Sequence, residues 1–167
     1  MNFEDFIVAP RQFRTEKWQI GNKITSEIKE NSIVLLFVSD YRGANGDAES
    51  QDFTGIRREF YKLSQLDFDI PIIDLGDLVS GKTPHDSHYI LQEVLSVCHQ
   101  KGAIPVIVGG SNDLAFSLFS ALNYHQQDIN YTQISNLVSL KQDEEIHEST
   151  FLSKILGSKN FSVKNYH

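Results

Sequence analysis

Three short apolar runs stand out along the chain, and each is rich in Ile and Val. They cover residues 33–38, 70–75 and 104–108. None of them alternates between apolar and polar positions, which is typical of strands that are buried on both faces of a parallel sheet. The pattern therefore predicts three adjacent parallel strands, and the loops after Val38 and Val108 should lie at one edge of that sheet.

Segments with helical spacing of apolar residues follow these runs, and each is long enough to cross over between parallel strands. The apolar positions that share a predicted helix face are Ile56, Phe60 and Leu63; Leu91, Val94, Leu95 and Cys98; and Leu114, Leu118, Phe119 and Leu122. Asp86 or Ser87 can cap the second helix. Gly102 can end that helix, and Ser111 can cap the third. A β-α-β-α-β-α order follows.

The two ends of the chain are less regular. Residues 134–140 form a fourth apolar run that predicts a strand, followed by the acidic stretch 143–145 and a short helix over about 150–156. Near the N-terminus, Trp18, Ile24 and Ile28 indicate an amphipathic helix that Gly21 interrupts. The predicted fold class is α/β, with three layers in which helices cover both faces of a mainly parallel sheet.

Composition narrows the class of protein. The 167 residues, of which 40% are hydrophobic, suit one domain over 1–167, with 1–30 as a peripheral segment. A net charge of −7 disfavours nucleic acid and anionic membranes as partners. No apolar run approaches the roughly 18 residues of a spanning helix, and the first residues lack a signal-peptide pattern, so we expect a cytoplasmic protein. Cys98 has no second cysteine to pair with and is expected to pack in a helix.

The third predicted strand ends in a turn that is rich in glycine and polar residues. Gly109 and Gly110 allow the backbone to turn sharply from strand to helix, and Ser111, Asn112 and Asp113 follow at the mouth of a possible site. The glycines form neither a dinucleotide-binding fingerprint nor a P-loop, so the sequence gives nucleotide binding no specific support. A plain connecting turn remains the alternative.

The context of this turn resembles the ureohydrolase superfamily, which comprises the arginases, agmatinases and formimidoylglutamases. Residues 101–122 are similar to the strand and helix around that family's Gly-Gly-Asp-His-Ser motif. A second resemblance comprises the loop 42–46 and residues 55–60, similar to the family's Gly-Pro-x-x-Ile-Arg helix start. A third lies at 134–145, where the family has Ser-x-Asp-Ala-His-x-Asp. The resemblance implies an arginase-like fold, closest in character to the formimidoylglutamases.

The same resemblance implies a reaction whose metal ligands are largely replaced here. Such enzymes hydrolyse a C–N bond of linear amidines or guanidinium groups with hydroxide held between two manganese ions. The motif-equivalent positions are Ser111, Asn112, Asp113, Lys141, Asp143 and Glu145. Asn112 offers an amide instead of an imidazole, and Lys141 places a cation where a metal needs an anion. Asp113 is one position out of phase and is expected to point elsewhere, for instance to the helix N-terminus. The sequence therefore predicts no intact metal site and no cofactor in this chain.

Two readings of the remaining polar residues stay open. Asp143, Glu145 and His147 can form either a rearranged metal site or a solvated loop. The other histidines, none of which has metal-ligand spacing, are His85, His88, His99, His125 and His167. No Ser/His/Asp or Cys/His arrangement can be assembled from the sequence.

Three hypotheses about function follow. The chain is the N-terminal portion of a longer ureohydrolase-type enzyme, whose remaining ligands come from a later Ser-x-Asp-x-Asp segment, and it is inactive alone. Alternatively, it is a pseudoenzyme that binds a small polar ligand or a partner. The third hypothesis is an unrelated α/β binding domain.

Assembly is the last expectation. Without later strands, the strand 104–108 would expose an unpaired edge. Either residues 134–140 pair with that edge, or the chain associates there with a second copy or with a missing C-terminal half.

Overall fold

In a computed structural model, the described residues are 3–44, 51–65, 67, 69–124, 128–136 and 138–167. The chain divides into two compact units. The first comprises Met1–Ser39, Ser50–Val79 and Val97–Gly109, and the second Asp40–Glu49, Ser80–Ser96 and Gly110–His167. The assignment of 1–167 as one domain with a peripheral segment 1–30 stays a prediction. Residues 45–50, of which 45 and 46 belong to the loop compared with the ureohydrolases, and His125 lie outside the described residues.

The first unit is built on a four-stranded, mainly parallel sheet. Its strands are β1 (Ile7–Val8), β2 (Ile33–Val38), β3 (Ile72–Leu78) and β4 (Ile104–Val108), in the order β1-β3-β2-β4. Strands β3, β2 and β4 are parallel, and β1 is antiparallel to β3. The α/β class and the three adjacent parallel strands are therefore confirmed. Strand β2 lies between two others and is buried almost throughout, as its unbroken apolar run predicts.

The second predicted strand is displaced along the sequence. The apolar run suggested 70–75, whereas β3 begins at Ile72 and continues to Leu78 through Gly76 and Asp77. The continuation is possible because β1 pairs there, with Ile7 opposite Leu78 and Val8 opposite Asp77. Gly76 has φ +108°, and a Cβ at this position would lie 2.0 Å from the carbonyl oxygen of Val8, so only glycine allows this pairing.

The described N-terminal residues do not form the predicted amphipathic helix. The described residues contain 3₁₀ turns at Phe3–Phe6 and Ile20–Asn22 and the short strand β1 instead. Trp18 is exposed, whereas Ile20 and Ile28 are buried. Ile20 donates its backbone N–H to the carbonyl of Leu63, and Thr25 donates its N–H to that of Ile72, so this segment forms backbone hydrogen bonds to other elements of its unit instead of a continuous helix.

The predicted apolar face of helix α1 (Thr54–Tyr61) holds only for Phe60, which is half-buried against Leu35, Phe37 and Phe53. Ile56 and Leu63 are 58% and 55% exposed, and the buried positions of the helix are Arg57 and Tyr61. They lie one turn apart and share a face. The apolar pattern missed the most buried positions of the helix because one of them is an arginine, which a hydrophobicity pattern counts as solvated.

Arg57, on α1, is the centre of a buried polar network that includes two carboxylates of β3. Its Nε donates to Asp74 Oδ2 at 2.7 Å and its Nη1 to Asp77 Oδ2 at 3.1 Å, while the guanidinium lies 4.0 Å from the ring centre of Phe37. Tyr61 donates its hydroxyl to Asp74 Oδ2 at 2.9 Å. Burial works against the arginine charge, but the two carboxylates outweigh it and raise the pKa of Arg57. Burial and the adjacent charge of Asp74 also raise the pKa of Tyr61.

Helix α2 (Pro84–Gln100) has the predicted buried face. Leu91, Val94, Leu95 and Cys98 are all buried. Burial raises the pKa of the Cys98 thiol to about 11, which fits a packing residue better than a nucleophile. Gly102 follows the helix in a left-handed conformation, as expected.

The predicted cap of α2 is wrong. The helix begins two to three residues earlier than Asp86 or Ser87, because Pro84 occupies its first position and Thr83 precedes it. Thr83 Oγ1 accepts the backbone N–H of Asp86, and Asp86 Oδ2 accepts the N–H of Thr83, which is the reciprocal arrangement of a capping box.

The second unit has its own core. A 3₁₀ turn (Asn112–Leu114) leads into α3 (Ala115–Tyr124), and β5 (Ile129–Tyr131), α4 (Phe151–Gly157) and β6 (Val163–Tyr166) follow, with β5 and β6 parallel. The buried core residues are Phe119, Ile129, Phe151, Leu152 and Ile155. Helix α4 confirms the helix predicted over about 150–156. On α3, the predicted face holds for Phe119, but Leu118 is exposed.

The predicted strand over 134–140 is not observed in residues 134–136 and 138–140; Leu137 lies outside the described residues. Ile134 and Val138 are 98% and 68% exposed, whereas Ser139 is buried. Ile134 and Val138 thus contact solvent instead of a core, and the nearby strand forms earlier, at β5. In the described residues, no helix is both long and apolar enough to span a membrane.

Candidate functional site

The turn after β4 has the predicted glycine geometry. Gly109 and Gly110 have φ values of +90° and +76°, a region that favours glycine. A Cβ on Gly109 would lie 2.4 Å from Phe53 Cζ and 2.7 Å from the carbonyl oxygen of Val38. Strand β4 therefore ends in a turn that two glycines make possible.

Ser111 occupies the predicted cap position of the following turn, but its hydroxyl does not cap it. The Oγ donates to the carbonyl oxygen of Asp40 at 3.4 Å, and the Ser111 backbone N–H donates to the same oxygen at 3.0 Å. The Ser111 carbonyl accepts the N–H of Leu114. Ser111 thus binds the backbone of Asp40, which is also in the second unit, and leaves the turn uncapped by a side chain.

Asp113 points away from the helix N-terminus and into a buried hydrogen-bond network. Its side chain is 2% exposed, and Oδ2 lies 2.9 Å from His88 Nε2. The carboxylate lies directly against Gly43, where a Cβ would be 2.0 Å from Oδ1. Oδ1 is buried without a hydrogen-bond partner among the described residues. The partner of Asp113 Oδ2 is thus a histidine, and not the helix N-terminus suggested by the sequence.

His88 links this carboxylate to a hydroxyl. Its Nδ1 lies 3.0 Å from Ser117 Oγ on α3. A carboxylate only accepts hydrogen bonds, so Nε2 carries the ring proton toward Asp113 and, in the neutral ring, Nδ1 accepts the proton of Ser117. The sequence placed His88 only near a helix start. It gave no signal for this network, because Asp113 is 25 positions and Ser117 29 positions away along the chain.

The sequence also gave no indication of a second polar cluster in this unit. Arg42 contacts Asp40 through both carboxylate oxygens, with Nε to Oδ1 at 3.0 Å and Nη2 to Oδ2 at 2.6 Å. Arg42 also donates to the carbonyl oxygens of Gly81 and Lys82, and Ser87 Oγ accepts a bond from Arg42 and from the Gly81 N–H. This arginine holds the segment after β2 against the segment that leads into α2.

The Asp40–Arg42 pair should make stability depend on acid pH. Burial raises the pKa of Asp40, but hydrogen bonds from Arg42 and Ser87 outweigh it and hold the pKa below the ordinary value of 3.8. A carboxyl with a lowered folded pKa contributes stability that is present above 3.8 and is lost as the pH falls through the folded value. Below pH 4, we expect the denaturation midpoint of the wild type to decrease more steeply with falling pH than that of Asp40→Asn. Parallel slopes for the two proteins would contradict this.

A cavity of about 570 Å³ opens beside His88 and Ser117. Its lining residues are Thr83, Pro84, His85, His88, Tyr89, Gln92, Phe116, Ser117, Ser120, Glu144, Glu145 and Ile146. The volume is in the usual range of small-molecule sites, and the wall combines aromatic rings with a few polar groups. Glu145 is the one motif-equivalent residue that lines it.

The other motif-equivalent residues have separate contacts. Asn112 donates its amide N–H to Glu148 Oε1 at 2.9 Å, and Lys141 is exposed. Asp143 accepts the N–H groups of Glu144 and Glu145, which lower its pKa. Asp143 Oδ2 lies 3.7 Å from His147 Nε2. Asp113 Oδ2 is hydrogen-bonded to His88, and Asp113 Oδ1 lies against Gly43.

Two hard dications need several carboxylates and imidazoles around one point. The described part of the chain contains no group of three or more His, Cys, Asp or Glu side chains that could hold a metal ion.

The fold has clear relatives among solved structures. No family model and no curated sequence matches the chain. Trypanosoma cruzi formiminoglutamase with manganese matches with a TM-score of 0.72 at 16% identity, over 89% of this chain and 55% of that one. Bacillus subtilis formimidoylglutamase matches with 0.70 at 15%, over 90% and 52%. Proclavaminate amidino hydrolase from Streptomyces clavuligerus matches with 0.62 at 12%, over 86% and 55%.

These matches define an α/β fold of the arginase, or ureohydrolase, type. Within this type, formimidoylglutamases are among the structural neighbours, as the sequence resemblance implied. The chain spans about half the length of the solved structures that it matches.

Proposed function

We propose that this chain is the N-terminal portion of an arginase- or formimidoylglutamase-type hydrolase that cleaves a C–N bond of a linear amidine or guanidinium substrate. The observation that carries the proposal is the fold, which matches two formimidoylglutamases over about nine-tenths of this chain and about half of theirs. Two of the matched proteins are by name formimidoylglutamases and a third is an amidino hydrolase, so the matched set shares C–N chemistry.

The chain alone is proposed to be inactive and to hold no manganese. Asn112 and Lys141 stand where the resemblance implies an imidazole and a carboxylate, and Asp113 is engaged by His88. No step of the hydrolysis can therefore be assigned to residues of this chain. In the longer protein, Asp143 and Glu145 would still be available for ligation, because both are exposed.

A binding protein that keeps the fold without catalysis is the second candidate. The cavity beside His88 favours it, because a pocket of about 570 Å³ can hold a small ligand without any metal. Lys141 supports the same candidate, since a fixed ammonium can replace the charge of a metal in a vestigial site. For either candidate we propose a cytoplasmic location.

The proposed partner surface is the outer edge of β4. Ile104 and Val106 on this strand are 63% and 39% exposed, and β4 is the last strand of its sheet in the described residues. Residues 134–136 and 138–140 form no strand, so we do not propose that they pair with this edge. The remaining arrangement is association with a C-terminal half of the fold or with a second copy, and it stays a proposal.

The test compares the isolated chain with a longer version that includes the coding sequence downstream. We expect the isolated chain to bind no manganese by calorimetry and to hydrolyse neither formimidoylglutamate nor arginine. About two manganese ions per chain, together with hydrolysis, in the longer version would support the enzyme. No metal and no hydrolysis in the longer version would favour the binding protein. A micromolar manganese site in the isolated chain that is lost in Asp143→Ala would contradict the proposed absence of a metal site.

A further inference from the structure

We propose that the cavity beside His88 binds a small organic ammonium ion with an apolar body. This inference concerns the chain as it stands and goes beyond the proposed hydrolysis, because it requires neither manganese nor any further part of the protein. It rests on the hydrogen bonding of the buried Ser117, which we call the floor of the cavity, and on the charge of the exposed Glu144 and Glu145, which we call its mouth. It also rests on the rings of Phe116 and Tyr89, which we call its wall.

The floor of the cavity presents a hydrogen-bond acceptor. Asp113, with its carboxylate against His88 Nε2, favours a ring proton on that nitrogen, and in the neutral ring Nδ1 then accepts the proton of Ser117. Ser117 has a single hydroxyl proton, and this bond uses it. The oxygen lone pairs that remain can only accept, and Ser117 lines the cavity. A ligand that reaches the floor must therefore supply an N–H or O–H donor.

The mouth of the cavity is acidic. Glu144 and Glu145 line it and are both exposed, and the described residues that line the cavity include no lysine or arginine. Apart from Tyr89, the other ionisable side chains among the described lining residues are His85 and His88. Two carboxylates attract a cation and repel an anion, so the favoured donor carries a positive charge.

The wall selects for an apolar body next to that charge. Phe116 and Tyr89 lie on the wall with Ile146. The face of an aromatic ring attracts an ammonium group within about 6 Å, and its edges pack against hydrocarbon. The cavity volume of about 570 Å³ has room for a ligand the size of an arylethylamine.

The experiment uses the 167-residue chain and three probes of nearly equal shape. Phenethylammonium carries the cation, 2-phenylethanol is a neutral donor, and phenylacetate is an anion. Calorimetric titration at pH 8 should show binding of the ammonium probe and at least tenfold weaker binding of the other two. Equal affinity for phenethylammonium and 2-phenylethanol, or no binding of the ammonium probe, would overturn the proposal.

Variants locate the binding site. Ser117→Ala removes the acceptor at the floor and should weaken the ammonium probe by about tenfold, as expected for a hydrogen bond to a charged group. The pair Glu144→Gln and Glu145→Gln lies on exposed positions that leave the fold intact, and it should weaken binding by at least as much. The matched control is Glu27→Gln with Glu30→Gln, which removes the same charge from exposed residues outside the cavity. Equal losses in the two double variants would place the effect in overall charge and contradict the site.

The result is separable from the proposed hydrolysis. Binding is measured on the isolated chain without metal, whereas hydrolysis is measured on the longer protein with manganese. Failure of either measurement leaves the other unaffected.

Discussion

Asp74→Ala should destabilise the first unit by about 3–5 kcal/mol, the usual cost of removing one partner of a buried ion pair. Asp74 is fully buried and accepts hydrogen bonds from Arg57, from the Tyr61 hydroxyl and from the backbone N–H of Gly76. Its loss leaves these donors without an acceptor and the arginine charge with only the half-exposed Asp77. Urea denaturation followed by circular dichroism measures the effect.

The matched control lies on α1, the helix that carries Arg57. Glu59 pairs with Arg58 and Lys62 on the exposed face of α1, so Glu59→Ala should leave the denaturation midpoint nearly unchanged. Asp74→Asn is the informative intermediate, because it keeps the volume and two lone pairs but removes the charge. A midpoint for Asp74→Ala as high as that of Glu59→Ala would show that the network around Arg57 contributes little to stability.

Gly109→Ala should cost about 2–4 kcal/mol, the sum of a left-handed backbone conformation and a forced contact in a packed region. The added methyl would meet the ring of Phe53, which can move, and the carbonyl oxygen of Val38, which belongs to the central strand and cannot move independently. The change in the free energy of unfolding is again read from urea denaturation.

Gly55→Ala is the control for the glycine substitution. A Cβ on Gly55 meets nothing within 4 Å, and its φ does not require glycine. Alanine is also the better helix former, so this variant should be as stable as the wild type or slightly more stable. If Gly109→Ala matched it, the turn after β4 would tolerate a side chain and the glycine pattern would have no conformational basis.

The strands could be predicted from the sequence because burial on two faces leaves a direct mark on composition. Residues 33–38 and 104–108 are strands at the predicted boundaries. The same rule was wrong for 134–140, since an apolar run predicts burial only where another element supplies a packing surface. It also missed the buried face of α1, because Arg57 is buried through pairing with Asp74 and Asp77, and ion pairing between distant residues has no local pattern.

The candidate site was predictable only in part, for the same reason. The turn at Gly109 and Gly110 was correctly predicted, because a strand followed by glycines has a local signature. The network of Asp113, His88 and Ser117 has none, since two separate helices bring its members together. The comparison with metal motifs indicated Lys141 and Asp143 as candidate site residues. The cavity instead lies beside His88, to which the sequence analysis assigned no role.

Pro105 in the edge strand limits open-ended aggregation. Ile104 donates its N–H to Ser32, on the side of β2, so the strand alternation turns the nitrogens of Pro105 and Ile107 toward the outer edge. A proline nitrogen has no hydrogen to donate, and one rung of any incoming ladder is therefore missing at the middle of the edge. A strand that adds here must do without that hydrogen bond. The edge is thereby a poorer template for indiscriminate stacking of chains, although its apolar side chains are exposed, and a partner shaped to the gap is favoured over a fibril.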